Sequence, residues 1–146
     1  MGIKNKKTKR RKQMSKLIND LTNEHQTVIG ILNEVASLNI ASDEAREKLK
    51  TVKDALINHI KKEDSQLYPF LNKQAETNTS LKSKLNMFAK DMDSVTKSVF
   101  EFFDNYENEE SNHEFAKSFG RLVGMLKTRI MKEEKVIYKE YENLQN

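Results

Sequence analysis

From Leu17 to the C-terminus, apolar residues return every three or four positions, the spacing of one face of an α-helix. Four such stripes follow one another. The first reads Ile18, Leu21, His25, Val28, Leu32, Val35 and ends near Leu38. The second is Ala45, Leu49, Val52, Leu56, His59, Glu63, Leu67, Phe70. The third is Leu81, Leu85, Phe88, Met92, Val95, Val99, Phe102, Tyr106, and the fourth is Phe115, Phe119, Leu122, Leu126, Arg129, Glu133, Val136, Glu140. Polar breaks separate them: Asn39 with Ser42, Asp43 and Glu44 as a cap and acidic first turn, then residues 77–80, then residues 107–112 with Ser111 as a cap. Pro69 is expected to bend or end the second helix. One proline and four glycines are too few for a turn-rich sandwich or barrel. The pattern predicts an all-α, up-down-up-down antiparallel four-helix bundle over residues 17–146.

Charge is distributed unevenly. Residues 1–16 hold eight of the 26 basic residues and no acid, so residues 17–146 carry 18 bases against 22 acids. The body is mildly acidic, and nucleic acid is expected to be bound only through the basic, disordered tail, if at all. A solvated tail without a partner is the second reading. A third places the start of translation at Met14, after a stretch that a purine-rich ribosome-binding sequence can encode. No apolar run reaches the roughly 20 residues a membrane span needs, and no secretory leader is seen. With no cysteine there is no disulfide, thiolate nucleophile or sulfur-held metal cluster. A soluble, cytoplasmic protein is expected.

The informative residues are the polar ones on core-facing stripes: His25, His59, Glu63, Arg129 and Glu133. Buried charges cost several kcal/mol each unless paired or metal-bound. In an up-down bundle the middles of the helices share one height, so these side chains can converge. His59 and Glu63 are one helical turn apart and can aim an imidazole nitrogen and a carboxylate at a common ion. Imidazole with carboxylate, and no thiolate, favours iron or manganese over structural zinc. Residues 56–68 also align without gaps on residues 126–138: Leu56, Ile60, Lys62, Glu63 and Tyr68 recur as Leu126, Ile130, Lys132, Glu133 and Tyr138, while His59 faces Arg129. Tyr68 and Tyr138 read as bundle-end packing, His113 as a surface or capping residue, and Asp64 and Glu134 as neighbours of the site or solvated charges.

Asn23-Glu24-His25, the stretch from His59 through Glu63 to Tyr68-Pro69, and Arg129, Glu133, Glu134 and Tyr138 together resemble the hemerythrin-like (HHE cation-binding) family over residues 17–142. That resemblance implies non-haem iron, with one histidine from the first helix, histidine and glutamate from the second, one histidine from the third, and histidine and an acid from the fourth. Two irons would share the two carboxylates. Here the third-helix position is Met92 and the fourth-helix histidine position is Arg129. The resemblance therefore leaves His25, His59, Glu63 and Glu133 as one complete half-site, suited to one iron rather than two. Arg129 would neutralise Glu63 and Glu133 where the second iron would lie, and Met92 would fill the core. Dioxygen or nitric oxide is the implied ligand, in sensing, storage or iron handling rather than catalysis. The rival reading is a metal-free interaction module with a buried Arg-Glu-His network. No serine triad, phosphate loop or nucleotide fingerprint is present.

Overall fold

The computed structural model describes residues 15–108 and 113–145, and all regular structure among them is helical. The basic residues 1–14 and the expected Ser111 cap lie outside the described residues. Helix α1 spans Lys16–Ala36. Its cap is Ser15, whose hydroxyl accepts from the Ile18 N–H and donates to Glu142 Oε1 (2.7 Å), tying the start of the first helix to the end of the last. Helix α2 spans Asp43–Lys62 behind the cap expected at Ser42. It runs through a π-helical turn, Glu63–Leu67, into α3, Tyr68–Ala75. Helix α4 (Thr79–Asn108) starts where Asn78 accepts from the Leu81 N–H. Helix α5 (His113–Lys132) passes through a second π-helical turn, Glu133–Ile137, into α6, Tyr138–Gln145.

These are the four expected arms, packed antiparallel as a four-helix bundle. Pro69 does not end the second arm, because it falls in the first turn of α3, where its missing N–H is tolerated. Nor does proline cause the π-turn: the fourth arm makes the same turn before Tyr138 and Lys139. No described helix is long and apolar enough to cross a membrane.

The π-turns correct two stretches of the expected stripes. A π-turn accommodates one more residue than an α-turn, so the buried face slips by one position beyond it. The stripe continues through Leu67 and Leu71, not Phe70, and through Ile137 and Tyr138, not Val136 and Glu140. Upstream of the turns the stripes stand as read, with Met92 and Val95 half-buried and Phe103 buried in addition.

The apolar core is in two blocks. One is built on Leu32, Leu49, Val52, Phe102, Phe119 and Leu122, the other on Leu21, Leu67, Leu71, Leu81, Leu85 and Ile137. Between them lies a layer of buried polar residues: His25, His59, Glu63, Arg129 and Glu133, each at most 5% exposed. Dry packing above and below keeps water from that layer.

Candidate metal centre

His25 projects from α1, His59 from the last turn of α2, and Glu63 and Glu133 from the first position of each π-turn. One donor atom from each of the four lies within 4.8 Å of every other. His25 Nε2 is 3.4 Å from Glu133 Oε1, and His59 Nε2 is 3.5 Å from Glu63 Oε2. The two imidazole rings are 4.4 Å apart at their centres.

Each imidazole is oriented from behind by a carboxylate on another arm. His25 Nδ1 meets Glu134 Oε2 at 2.7 Å, and His59 Nδ1 meets Glu24 Oε1 at 2.8 Å. Glu24 is itself held by the Lys62 ammonium. With Nδ1 engaged outward, each ring turns its Nε2 inward among the other donors, the orientation in which a deprotonated Nε2 can hold a cation. Glu134 thus takes the nearer of its two expected roles, while Asp64 is solvent-exposed. Glu24 was not legible as a partner of His59, because the bond joins residues 35 positions apart on different helices.

The tyrosines are not bundle-end packing alone. Tyr68 Oη donates to Glu133 Oε2 at 2.8 Å, and Tyr138 Oη donates to Glu63 Oε2 at 2.8 Å, with Glu133 Oε1 at 3.1 Å. In an α-helix a residue five positions on is rotated by about 140°. The extra residue in each π-turn brings the tyrosine back over the acid's face.

Arg129 departs from the expected arrangement. Its guanidinium makes no hydrogen bond to Glu63 or Glu133: the nearest approach is Nη2 to Glu133 Oε2 at 3.9 Å, and the group lies over the Phe88 ring at 4.5 Å. All three of its side-chain nitrogens are buried without a hydrogen-bond partner, as is Glu63 Oε1. Met92 lines the same cavity of about 40 Å³ as His25, His59, Glu63, Arg129 and Glu133. The side chain of His113 lies outside the described residues.

Protonation follows burial and contacts. Burial, reinforced by the Glu133 charge, raises the Glu63 carboxyl above the usual range. Burial opposes ionisation of Glu133 too, but hydrogen bonds from His25, Glu63 and Tyr68 and the His25 charge outweigh it and hold this carboxyl low. The two adjacent buried acids are thus pushed in opposite directions, Glu63 toward its neutral form and Glu133 toward its charged one. Burial and both carboxylates push Tyr68 and Tyr138 far up, so both hydroxyls stay protonated beside the acids.

These residues fit a metal ion. Two inward imidazole nitrogens and two carboxylates, one oxygen of which lacks any partner, are the makings of a cation site. Residues 6–71 match the family described as Hemerythrin HHE cation binding domain. Over that stretch the chain is hemerythrin-like. The matched segment holds His25, His59 and Glu63; Glu133 lies beyond it and is brought to this hemerythrin-like site by the bundle. No curated protein and no solved structure matches the chain.

Proposed function

We propose that this hemerythrin-like domain holds one non-haem iron at His25, His59, Glu63 and Glu133, and that it senses or handles dioxygen, nitric oxide or iron itself. The observation that carries the reading is the convergence of two imidazoles and two carboxylates in a buried layer between dry core blocks. Nitrogen and carboxylate oxygen without sulfur suit iron or manganese. Iron so held supplies reversible binding of a diatomic gas and one-electron chemistry.

The chain's own residues do the rest. Glu24 and Glu134 hold the imidazoles in register. The adjoining cavity, about 40 Å³ and walled by Leu56, Met92, Val95 and Val99, has space for a small molecule. Arg129 lines that cavity with its donors unspent, so a ligand that draws negative charge meets a cation there.

The other half of the layer supports a count of one. It has a half-buried thioether and a guanidinium where two more imidazoles would be needed, and Tyr68 already occupies Glu133 Oε2. A single ion favours sensing or iron handling over reversible dioxygen carriage, which in hemerythrin-like proteins rests on two irons. The metal-free alternative needs Arg129 bonded to the acids, and the 3.9 Å separation gives it little support.

The test is the content of iron, manganese and zinc per chain in untagged protein purified without chelators. About one iron is expected, with affinity falling more than about 100-fold in His59→Ala. No metal, with reconstitution failing in a folded protein, would leave the interaction module as the better account.

A further inference from the structure

We propose that Tyr138 is a fifth protein donor to the metal, bound through its phenolate oxygen when the ion is ferric. The inference rests on the metal-binding reading above and sharpens it. Tyr138 Oη lies 3.3 Å from His25 Nε2, 3.4 Å from His59 Nε2, 2.8 Å from Glu63 Oε2 and 3.1 Å from Glu133 Oε1. Donors bound to a first-row ion at about 2.1 Å stand about 3.0 Å apart when they subtend a right angle, and about 3.4 Å apart at the tetrahedral angle. The hydroxyl oxygen is therefore at vertex spacing from all four other donors at once. The apex of a square pyramid has four neighbours at that spacing.

Electrostatics makes the same case. Glu134 and Glu24 engage the Nδ1 atoms, so it is Nε2 of each ring that faces inward and, once deprotonated as ligation requires, offers its lone pair there. Two imidazole nitrogens, two carboxylate oxygens and a phenol oxygen thus face one another. The phenol has one proton and can donate it once, to Glu63 at 2.8 Å. A tyrosine that served only packing would need one acceptor.

Tyr68 is the internal control. It occupies the equivalent position on the other arm, and its hydroxyl bonds Glu133 Oε2, with no hydrogen bond to an imidazole among the described residues. Phenolate is a hard anionic oxygen donor and suits ferric iron. Its binding exchanges the O–H bond for an Fe–O bond and releases one proton to solvent per ion, with no change of oxidation state.

The experiment loads the full chain with ferric iron, counts metal per chain, and records the visible and resonance Raman spectra. A broad visible phenolate-to-iron charge-transfer band with tyrosine ring modes is expected. Tyr138→Phe should still bind iron, about 10-fold more weakly, and lose the band, while Tyr68→Phe keeps both. Iron-loaded protein without the band, or a band surviving in Tyr138→Phe, overturns the assignment and leaves metal binding intact. Tighter iron binding by Tyr138→Phe also overturns it, because the hydroxyl would then be competing for the metal's place. Failure of the parent to bind iron removes the metal reading and this inference together. If Tyr138→Phe does not fold, ring-deuterated tyrosine in the parent decides: the Raman modes must shift.

Discussion

The arm carrying residues 56–68 and the arm carrying residues 126–138 share a backbone device and differ in what they mount on it. In each, an acid opens a π-helical turn and a tyrosine follows it with its hydroxyl on a carboxylate. One turn before the acid, the first arm has His59 and the second Arg129. Around His59 the polar atoms are engaged: Nδ1 by Glu24, Nε2 facing the other donors. Around Arg129 three donors are unspent and an aromatic face carries the charge. The scaffold is thus indifferent to whether it presents a ligand or a counter-charge. On the one-iron reading proposed above, metal capacity would be set by two side chains rather than by the fold.

The sharpest way to break this asymmetry is to rebuild the lost half. Met92→His with Arg129→His should raise iron from about one to about two per chain, with the near-ultraviolet bands of a bridged di-ferric centre. A double variant with no more iron than its parent would mean that these two positions are not the equivalents of His25 and His59.

A smaller effect compares the two carboxylates behind the imidazoles. Glu24→Gln and Glu134→Gln should each weaken metal binding by about 10–100-fold in a chelator competition, leaving the helical circular dichroism unchanged. If either leaves affinity unaltered, the corresponding ring is held by something other than its Nδ1 contact.

The smallest effect lies on the Arg129 side and in the metal-free protein. Buried donors without partners cost about 1–3 kcal/mol each. Three guanidinium nitrogens so placed outweigh a desolvated cation–π contact of about 2 kcal/mol and a long 3.9 Å approach to Glu133. Arg129→Met should therefore stabilise the chain by about 1 kcal/mol, seen as a higher urea midpoint at unchanged slope. Destabilisation would show that the 3.9 Å charge pairing with Glu133 outweighs the unspent donors.

Much of this arrangement was written in periodicity. Four stripes, their caps and the level at which His25, His59, Glu63, Arg129 and Glu133 interrupt them follow from side-chain spacing along single helices, which is a local property. The same locality explains where that reading stopped. Nothing in residues 63–67 or 133–137 announces a π-turn, since proline follows one and not the other, and so Leu71 and Ile137 displaced Phe70 and Val136 from the buried face. Arg129 was expected to bond both acids; its guanidinium instead lies over Phe88 and comes only to within 3.9 Å of Glu133 Oε2. Glu24 on His59, Glu134 on His25, and Tyr138 among four donors join groups from different arms. Those contacts depend on how helices are rotated against one another. Hydrophobic spacing constrains that rotation only to a face, whereas hydrogen bonding and ligation distinguish ångströms.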